Sequence, residues 1–251
     1  MDDQPRTTEP YPDTNTRSIY LGSTRLAHEH LVAQSQVVLR LGRILMKSGA
    51  SAYRIKASMA RLAKAVGLKE HHAQVTFTEI STSSYTDGNF RTEVAEQRTM
   101  GINAHKLDQL GKFISELPEK ITPAEANAEL DLIDSAKPLY TRWMLALASA
   151  VACAGFAFLN RGGLVECTVV FFAAGAGQFL RSTLLKRGVS HLATWMACGF
   201  LAAGLYIALV NVLVAAGWIS PNHMIGFISS VLFLVPGFPM VTGMLDISRM
   251  D

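Results

Sequence analysis

The stretch HMIGFISSVLFLVPGFPMVTGMLD, residues 223–246, is apolar enough to span a bilayer, yet it carries Pro236, Gly237 and Pro239 near its middle. Proline lacks the backbone N–H donor and clashes with the preceding helical turn. Because hydrocarbon offers no hydrogen-bond partners, the carbonyls that a proline frees must be met by protein or by a water-lined cavity. The sequence therefore predicts a broken membrane helix of the kind that lines transport pathways, with a simple packed proline kink as the alternative.

The composition divides the rest of the chain into two halves. Of the 251 residues, 49% are hydrophobic and only 17% are charged, and most of the charged residues precede Arg142. This uneven distribution predicts an α-helical membrane protein with a soluble N-terminal half and a membrane-embedded C-terminal half. The net charge of +3 does not indicate nucleic-acid binding, because basic and acidic residues are interspersed.

The N-terminal half is predicted to be a disordered tail followed by an α+β domain. Residues 1–28 are polar and lack a hydrophobic period, which is typical of disorder. In residues 29–137, apolar residues recur at helical spacing, and β-branched residues at 74–80 with residues 90–94 indicate a β-hairpin or the edge of a small sheet.

The C-terminal half, residues 138–251, contains four apolar runs that predict membrane spans at about 143–159, 164–181, 192–218 and 223–245. Arg181, Lys186 and Arg187 crowd the second connector, which by the positive-inside rule should be cytoplasmic. The chain crosses the membrane twice between the N-terminal domain and this connector, so the N-terminal domain should be cytoplasmic as well. The first residues have no apolar core typical of a signal peptide, so insertion is expected to depend on the internal spans.

Polar side chains within the spans are the candidates for function, because charge is costly at membrane depth. Arg181, Asn211 and Asp246 are therefore assigned to the substrate pathway together with the broken stretch. The alternatives are that Arg181 and Asp246 are interfacial charges that reach water, and that Asn211 joins helices by hydrogen bonds. Glu166 lies near the outer end of the second span.

Other chemistries find little support in the sequence. Four histidines suggest a metal site, but no cysteine or carboxylate completes a metal-binding spacing, and solvated side chains are expected for His28, His30, His71 and His72. We expect no metal and no cofactor. Three cysteines without paired spacing are expected to be small buried hydrophobes, namely Cys153, Cys167 and Cys198. Without a Walker loop, a Rossmann fingerprint or a catalytic triad, the chain is not expected to be an enzyme.

Four motifs resemble those of the threonine/serine exporter family, in the split type whose N-terminal part is a separate polypeptide. SGASAYRIKASMARLAKAVGL at 48–68 resembles a signature matched by Gly49, Ala50 and Arg54, and RTMGINAHKLDQL at 98–110 resembles one matched by Arg98 and Asn103. The membrane motifs are LNRGG at 159–163 and LFLVPGFPM at 232–240, the second followed by Asp246.

This resemblance implies a cytoplasmic α+β domain followed by five membrane helices, of which the fifth is missing here. It also implies export of small metabolites, either threonine and serine or C4-dicarboxylates such as succinate. The chain would be a multi-pass protein of the bacterial inner membrane that works with a second, smaller membrane subunit and can form a higher oligomer. The family favours an aspartate where this chain has Glu166. A membrane-anchored sensor with a cytoplasmic ligand-binding domain is the alternative.

Overall fold

The computed structural model describes residues 14–86, 88–97, 101–136, 139–218 and 224–249, whose contacts divide the chain into two compact units. The first unit comprises the described parts of Met1–Ala136 and Val241–Asp251, and the second comprises those of Lys137–Met240. Each unit has a hydrophobic core of its own.

The first unit combines four helices with one small sheet, as the predicted α+β character requires. Its elements in chain order are α1 (Thr14–Lys47), α2 (Ala52–Ala65), β1 (Glu70–Val75), β2 (Glu79–Thr86), β3 (Asn89–Glu96), α3 (Ala104–Ser115) and α4 (Pro123–Ser135). The strands pair antiparallel in the order β1-β2-β3. The core lies where α1, α2, α3 and α4 bury their apolar faces, and Ile80 of β2 joins it.

Helix α1 begins at Thr14, within the segment that the sequence predicts to be a disordered tail. Extending an existing helix by one residue is much easier than nucleating a new one, so a long buried helix can continue into a polar flank. The rest of the predicted tail, residues 1–13, lies outside the described residues.

The sheet is larger than the predicted hairpin, and one predicted strand is wrong. Residues 74–80 do not form a continuous strand, because Thr76–Thr78 make the turn between β1 and β2, with the Thr76 N–H donating to the Glu79 carbonyl at 2.9 Å. Phe77 is 80% exposed. β-branched and aromatic residues continue through this turn, so composition alone could not locate it.

Local capping interactions define helix ends in the first unit. Gly49 adopts a φ of 89° just after α1, a left-handed conformation that glycine adopts without strain. Ser51 caps α2 by accepting from the Arg54 N–H at 3.4 Å. Thr122 and Glu125 form a capping box at the start of α4.

The second unit contains three helices that are long and apolar enough to cross a membrane: α5 (Arg142–Leu159), α6 (Leu164–Lys186) and α7 (His191–Ala215). They match the first three predicted spans. Large apolar side chains on their surfaces are exposed, such as Phe200 at 84% and Leu159 at 80%. Apolar surface of this extent is typical of lipid-facing helices.

The fourth predicted span is not one continuous helix. It consists of α8 (Met224–Ser230), a 3₁₀ turn (Leu232–Leu234) and α9 (Gly237–Arg249), with Pro236 immediately before α9. The predicted break is therefore confirmed, and neither α8 nor α9 is long enough to cross a bilayer as a single helix.

Candidate substrate pathway at the broken segment

The break between α8 and α9 frees one backbone carbonyl in particular. In a continuous helix the Phe233 carbonyl would accept from the Gly237 N–H, but that N–H donates instead to the Val235 carbonyl at 2.9 Å. The Arg181 Nη1 atom of α6 lies 3.4 Å from the Phe233 oxygen and donates to it. A guanidinium from a neighbouring helix thus meets the carbonyl that the break releases.

The two prolines have different roles. The Pro236 carbonyl accepts from the Met240 N–H at 3.1 Å, so Pro236 is the residue at which α9 begins. Pro239 lies in the first turn of α9, where backbone N–H groups have no partner within the helix. At this position proline removes no helical hydrogen bond.

The 3₁₀ turn packs closely against α6 and α7. A Cβ added at Gly177 would lie 2.5 Å from Phe233 Cζ and 3.1 Å from Ala202 Cβ, and one at Gly199 would lie 3.1 Å from Leu234 Cδ1. Glycine at these two positions leaves the room that the Phe233 and Leu234 side chains occupy. The 3₁₀ turn therefore packs against the faces of α6 and α7 that carry Gly177 and Gly199, here called the glycine faces.

Polar atoms without hydrogen-bond partners lie on the same two helices. Among the described residues, the buried atoms of this kind on α6 and α7 are Gln178 Oε1, Arg181 Nε, Thr194 Oγ1 and Trp195 Nε1. Buried polar groups are normally paired, and those that are not often mark sites where water or a ligand binds. Since Gly177 faces Ala202 and the helices run antiparallel, Arg181 and Thr194 both lie toward the connector that joins α6 to α7.

The other residues assigned to the pathway are not brought to Arg181 in the second unit. Asn211 lies on an exposed face of α7, 12 residues beyond Gly199, which is about 18 Å along a helix. Asp246 belongs to the first unit, where its carboxylate accepts from the Ala52 N–H at 3.0 Å and from the Tyr53 N–H at 3.4 Å. It therefore helps to cap the N-terminus of α2.

Arg249 supports the same contact in the first unit. Its guanidinium carbon lies 4.2 Å from the centre of the Tyr53 ring, in a cation–π arrangement. The N–H groups at the start of α2 thus receive a side-chain carboxylate of the same chain.

The described family-motif residues of the first unit lie where α1, α2 and α3 meet. Gly49 lies against the Gly101 backbone, the Asn103 N–H donates to the Ser48 carbonyl at 3.1 Å, and Arg54 Nη2 donates to the Leu107 carbonyl at 2.7 Å. The Asn103 side chain also caps α3 through the Lys106 N–H at 3.0 Å. These contacts hold α1, α2 and α3 together. Ala50 lies in the same turn, whereas Arg98 lies outside the described residues.

Glu166, named among the polar residues of the spans but not assigned to the substrate pathway, lies in a buried polar cluster of the second unit. Glu166 is only 8% exposed, and its Oε1 atom accepts from the Gly226 N–H at 2.7 Å and from the Tyr206 hydroxyl at 3.2 Å. The cluster joins α6, α7 and α8. A carboxylate inside an apolar span is the sequence signal that marks Glu166, but it does not predict these partners.

The structure also shows the surroundings of His71 and of the three cysteines. His71 Nδ1 lies 3.0 Å from Ser84 Oγ on the sheet, and burial, with His72 nearby, lowers the pKa of His71 to about 4. Among the described residues no group of three potential metal ligands is found. Cys153 and Cys198 are buried and Cys167 is half-buried, all with free thiols.

A family model described as "Putative threonine/serine exporter" matches residues 36–251. The chain belongs to the threonine/serine exporter family. This is a family of transporters, not of enzymes, and the broken segment, the glycine faces and Arg181 all lie within the matched residues.

The relatives of the chain include two that carry a more specific name. The "Probable succinate transporter subunit YjjP" of Klebsiella aerogenes is 25% identical over 221 residues, covering 86% of this chain and 82% of the relative. The protein of the same name in Escherichia coli K12 is 24% identical over 218 residues, covering 86% and 83%. An uncharacterized protein of Haemophilus influenzae is 24% identical over 149 residues. No solved structure matches the chain.

Proposed function

We propose that this exporter-family chain is one subunit of a secondary transporter that moves a small carboxylate-bearing metabolite out of the cytoplasm. The observation that carries the proposal is the Arg181 guanidinium at the carbonyl freed by the break, 3.4 Å from the Phe233 oxygen. Arginine binds carboxylates through two parallel hydrogen bonds, and Arg181 Nε is a buried donor without a partner among the described residues. A substrate carboxylate would take the place of the Phe233 carbonyl.

The substrate class follows from the same site. A dicarboxylate such as succinate, or an amino acid such as threonine or serine, carries the carboxylate that Arg181 requires. The names of the two YjjP relatives favour succinate. Those relatives are named as subunits, which supports a second membrane subunit that completes the pathway.

The proposed topology places the transporter in the bacterial inner membrane with four crossings. Helices α5, α6 and α7 supply three, and the broken stretch from α8 into α9 supplies the fourth. Lys186 and Arg187 at the end of α6 favour a cytoplasmic connector, so the first unit is cytoplasmic as well. Exposed apolar faces on α5 and α7 are available to lipid, to the smaller subunit or to a second copy of the chain.

An export assay with the second subunit coexpressed tests the proposal. Cells or vesicles loaded with succinate, threonine or serine are compared for efflux by wild type, Arg181→Gln and Arg187→Gln. Removing a hydrogen bond to a charged group costs about 1.5–3 kcal/mol, so Arg181→Gln should raise KM by roughly 10- to 100-fold. Arg187→Gln removes the same charge from the exposed end of α6 and should leave KM unchanged. Equal KM values for the two variants would refute substrate binding by Arg181.

A further inference from the structure

Trp195 of α7 occupies a position that corresponds to that of Arg181 on α6. Arg181 comes four residues, or about one helical turn, after Gly177, which contacts the 3₁₀ turn. Trp195 comes four residues before Gly199, which contacts the same turn from α7. Because the two helices run antiparallel, both steps lead toward the connector that joins them. The Arg181 and Trp195 side chains therefore project from the glycine faces of two neighbouring helices, within about one turn of each other in height.

Thr194 lies on the face of α7 that packs against α6. It precedes Cys198 by four residues and Ala202 by eight, so the three side chains form one stripe along the helix, and each is 0% exposed. A Cβ at Gly177 of α6 would lie 3.1 Å from Ala202 Cβ, and the Arg181 guanidinium is close enough to Cys198 to interact with it electrostatically. Thr194 therefore lies one turn beyond Cys198, on the side of α7 that Arg181 approaches.

Thr194 and Trp195 each carry a buried polar atom without a hydrogen-bond partner among the described residues, namely Thr194 Oγ1 and Trp195 Nε1. A helical threonine can donate to the carbonyl of its own helix four residues earlier. Thr168 and Thr183 of α6 do so, at 2.8 and 2.9 Å. Thr194 does not, although it is the completely buried one of the three. A buried polar group without a partner is costly and marks a place where water or a ligand binds.

The unpartnered buried atoms on α6 and α7, within the part of the chain that the structure describes, form a donor-rich set. Arg181 Nε and Trp195 Nε1 can only donate, and the Thr194 hydroxyl can donate or accept. Gln178 Oε1 is an acceptor, but rotation of the amide presents its NH₂ group instead. Such a set is complementary to a ligand with several acceptor oxygens.

We propose that Thr194 and Trp195 bind the second carboxylate of a dicarboxylate whose first carboxylate is bound by Arg181. This inference rests on the proposed exporter function and names the residues that select its substrate. The axes of packed helices are about 8–10 Å apart, so side chains that extend from α6 and α7 toward the same segment leave a gap that a C4-dicarboxylate can bridge. Threonine or serine carries no second carboxylate, and an ammonium group cannot accept from the Trp195 N–H.

The position of the site also fits the direction of transport. Thr194 is the fourth residue of α7, and Arg181 lies five residues before the end of α6, so both are close to the connector between the helices. That connector is cytoplasmic in the proposed topology. A dicarboxylate that enters from the cytoplasm would therefore meet this site before it reached the middle of the spans.

Equilibrium binding to the full chain, purified in detergent with its second subunit, tests the proposal. The ligands are labelled succinate and, by competition, butyrate, which has four carbons and one carboxylate. Thr194→Val and Trp195→Phe should each raise the Kd for succinate about tenfold and leave the Kd for butyrate unchanged, because butyrate has no second carboxylate. Arg181→Gln should raise both Kd values, since both ligands carry the carboxylate that Arg181 binds.

Three control variants accompany these measurements. Thr194→Ser retains the hydroxyl and should bind both ligands as wild type does. Thr168→Val and Trp218→Phe make the same kinds of change at exposed positions, since Thr168 bonds to its own helix on the surface of α6 and Trp218 is 74% exposed. Both should leave the two Kd values unchanged.

Unchanged succinate binding in Thr194→Val or in Trp195→Phe would overturn the proposal. An equal rise in the Kd values for succinate and butyrate would overturn it as well, because the substitution would then disturb the packing of the site and not the second carboxylate.

The same set of variants separates this proposal from the exporter function on which it rests. If wild type neither binds nor exports succinate, threonine or serine, both proposals fail. If wild type exports threonine or serine but not succinate, the exporter proposal stands and selection of a dicarboxylate fails. If Arg181→Gln weakens succinate binding while Thr194→Val and Trp195→Phe do not, the exporter proposal stands and the role of α7 fails.

Discussion

The unequal roles of Pro236 and Pro239 lead to a prediction that separates a functional break from a simple kink. With alanine at position 236, an N–H becomes available to the Leu232 carbonyl, and α8 and α9 can join through the 3₁₀ turn. Proline in a helix interior costs about 3 kcal/mol relative to alanine, which is an upper limit on the gain from closing the helix. The packing of Phe233 against Gly177 opposes this change.

We therefore expect Pro236→Ala to reduce export strongly while the protein still inserts. In the closed helix the Phe233 carbonyl would accept from the Gly237 N–H, and Arg181 would lose the partner that positions it. Pro239→Ala is the matched control, because Pro239 lies in the first turn of α9 and its substitution should change stability by less than about 1 kcal/mol. The assay is succinate efflux normalised to protein in the membrane.

Hydrogen exchange checks the structural part of this prediction. The Gly237 amide should exchange more slowly in Pro236→Ala, because closing the helix gives it a regular partner. Normal efflux by Pro236→Ala, with slowed exchange at Gly237, would refute the reasoning, since the helix would have closed without consequence. Reduced efflux in Pro239→Ala alone would refute it as well.

Three further predictions concern other parts of the chain. Asp246→Ala should lower the thermal stability by about 1 kcal/mol through loss of the cap on α2, with Asp246→Asn less affected, as measured by the unfolding midpoint in detergent. Burial lowers the pKa of His71 to about 4 in the native state, whereas in the unfolded chain the same side chain binds a proton below about pH 6.5. The free energy of unfolding therefore falls as the pH is lowered through this range. Between pH 6.5 and 4, the free energy of unfolding of wild type should therefore decrease by about 2 kcal/mol more than that of His71→Gln. The same pH dependence of unfolding in the two proteins would contradict this. In a cysteine-free background, an impermeant thiol reagent should label Asn160→Cys but not Val189→Cys in intact cells, and the reverse pattern would overturn the topology.

Much of the fold follows from local patterns in the sequence. Runs of apolar residues are long enough to identify α5, α6 and α7, because membrane thickness fixes the length that a span requires. The capping box at Thr122 and the left-handed glycine at position 49 follow from backbone groups only a few residues away. The turn at Thr76–Thr78 could not be located, because its side chains have the same β propensity as those of the flanking strands.

The neighbours of the broken segment could not be predicted in the same way. Proline at position 236 predicts that carbonyls are freed, but not which side chain meets them. Arg181 meets the Phe233 carbonyl because Gly177, one turn earlier on α6, lets the phenyl ring approach. That close approach depends on two glycines on separate helices, and helical periodicity defines the face of a helix without defining what packs against it.

Asp246 and Glu166 show the same limit for charged residues. The rule that charge within a span marks function applies to both carboxylates, yet their surroundings differ. Asp246 accepts from backbone N–H groups 194 and 193 residues away, where it helps to cap the start of α2. Glu166 is buried and accepts from Tyr206 and Gly226, which lie 40 and 60 residues away. Because these partners come from distant parts of the chain, the sequence identifies both carboxylates as candidates but does not predict the contacts that each one makes.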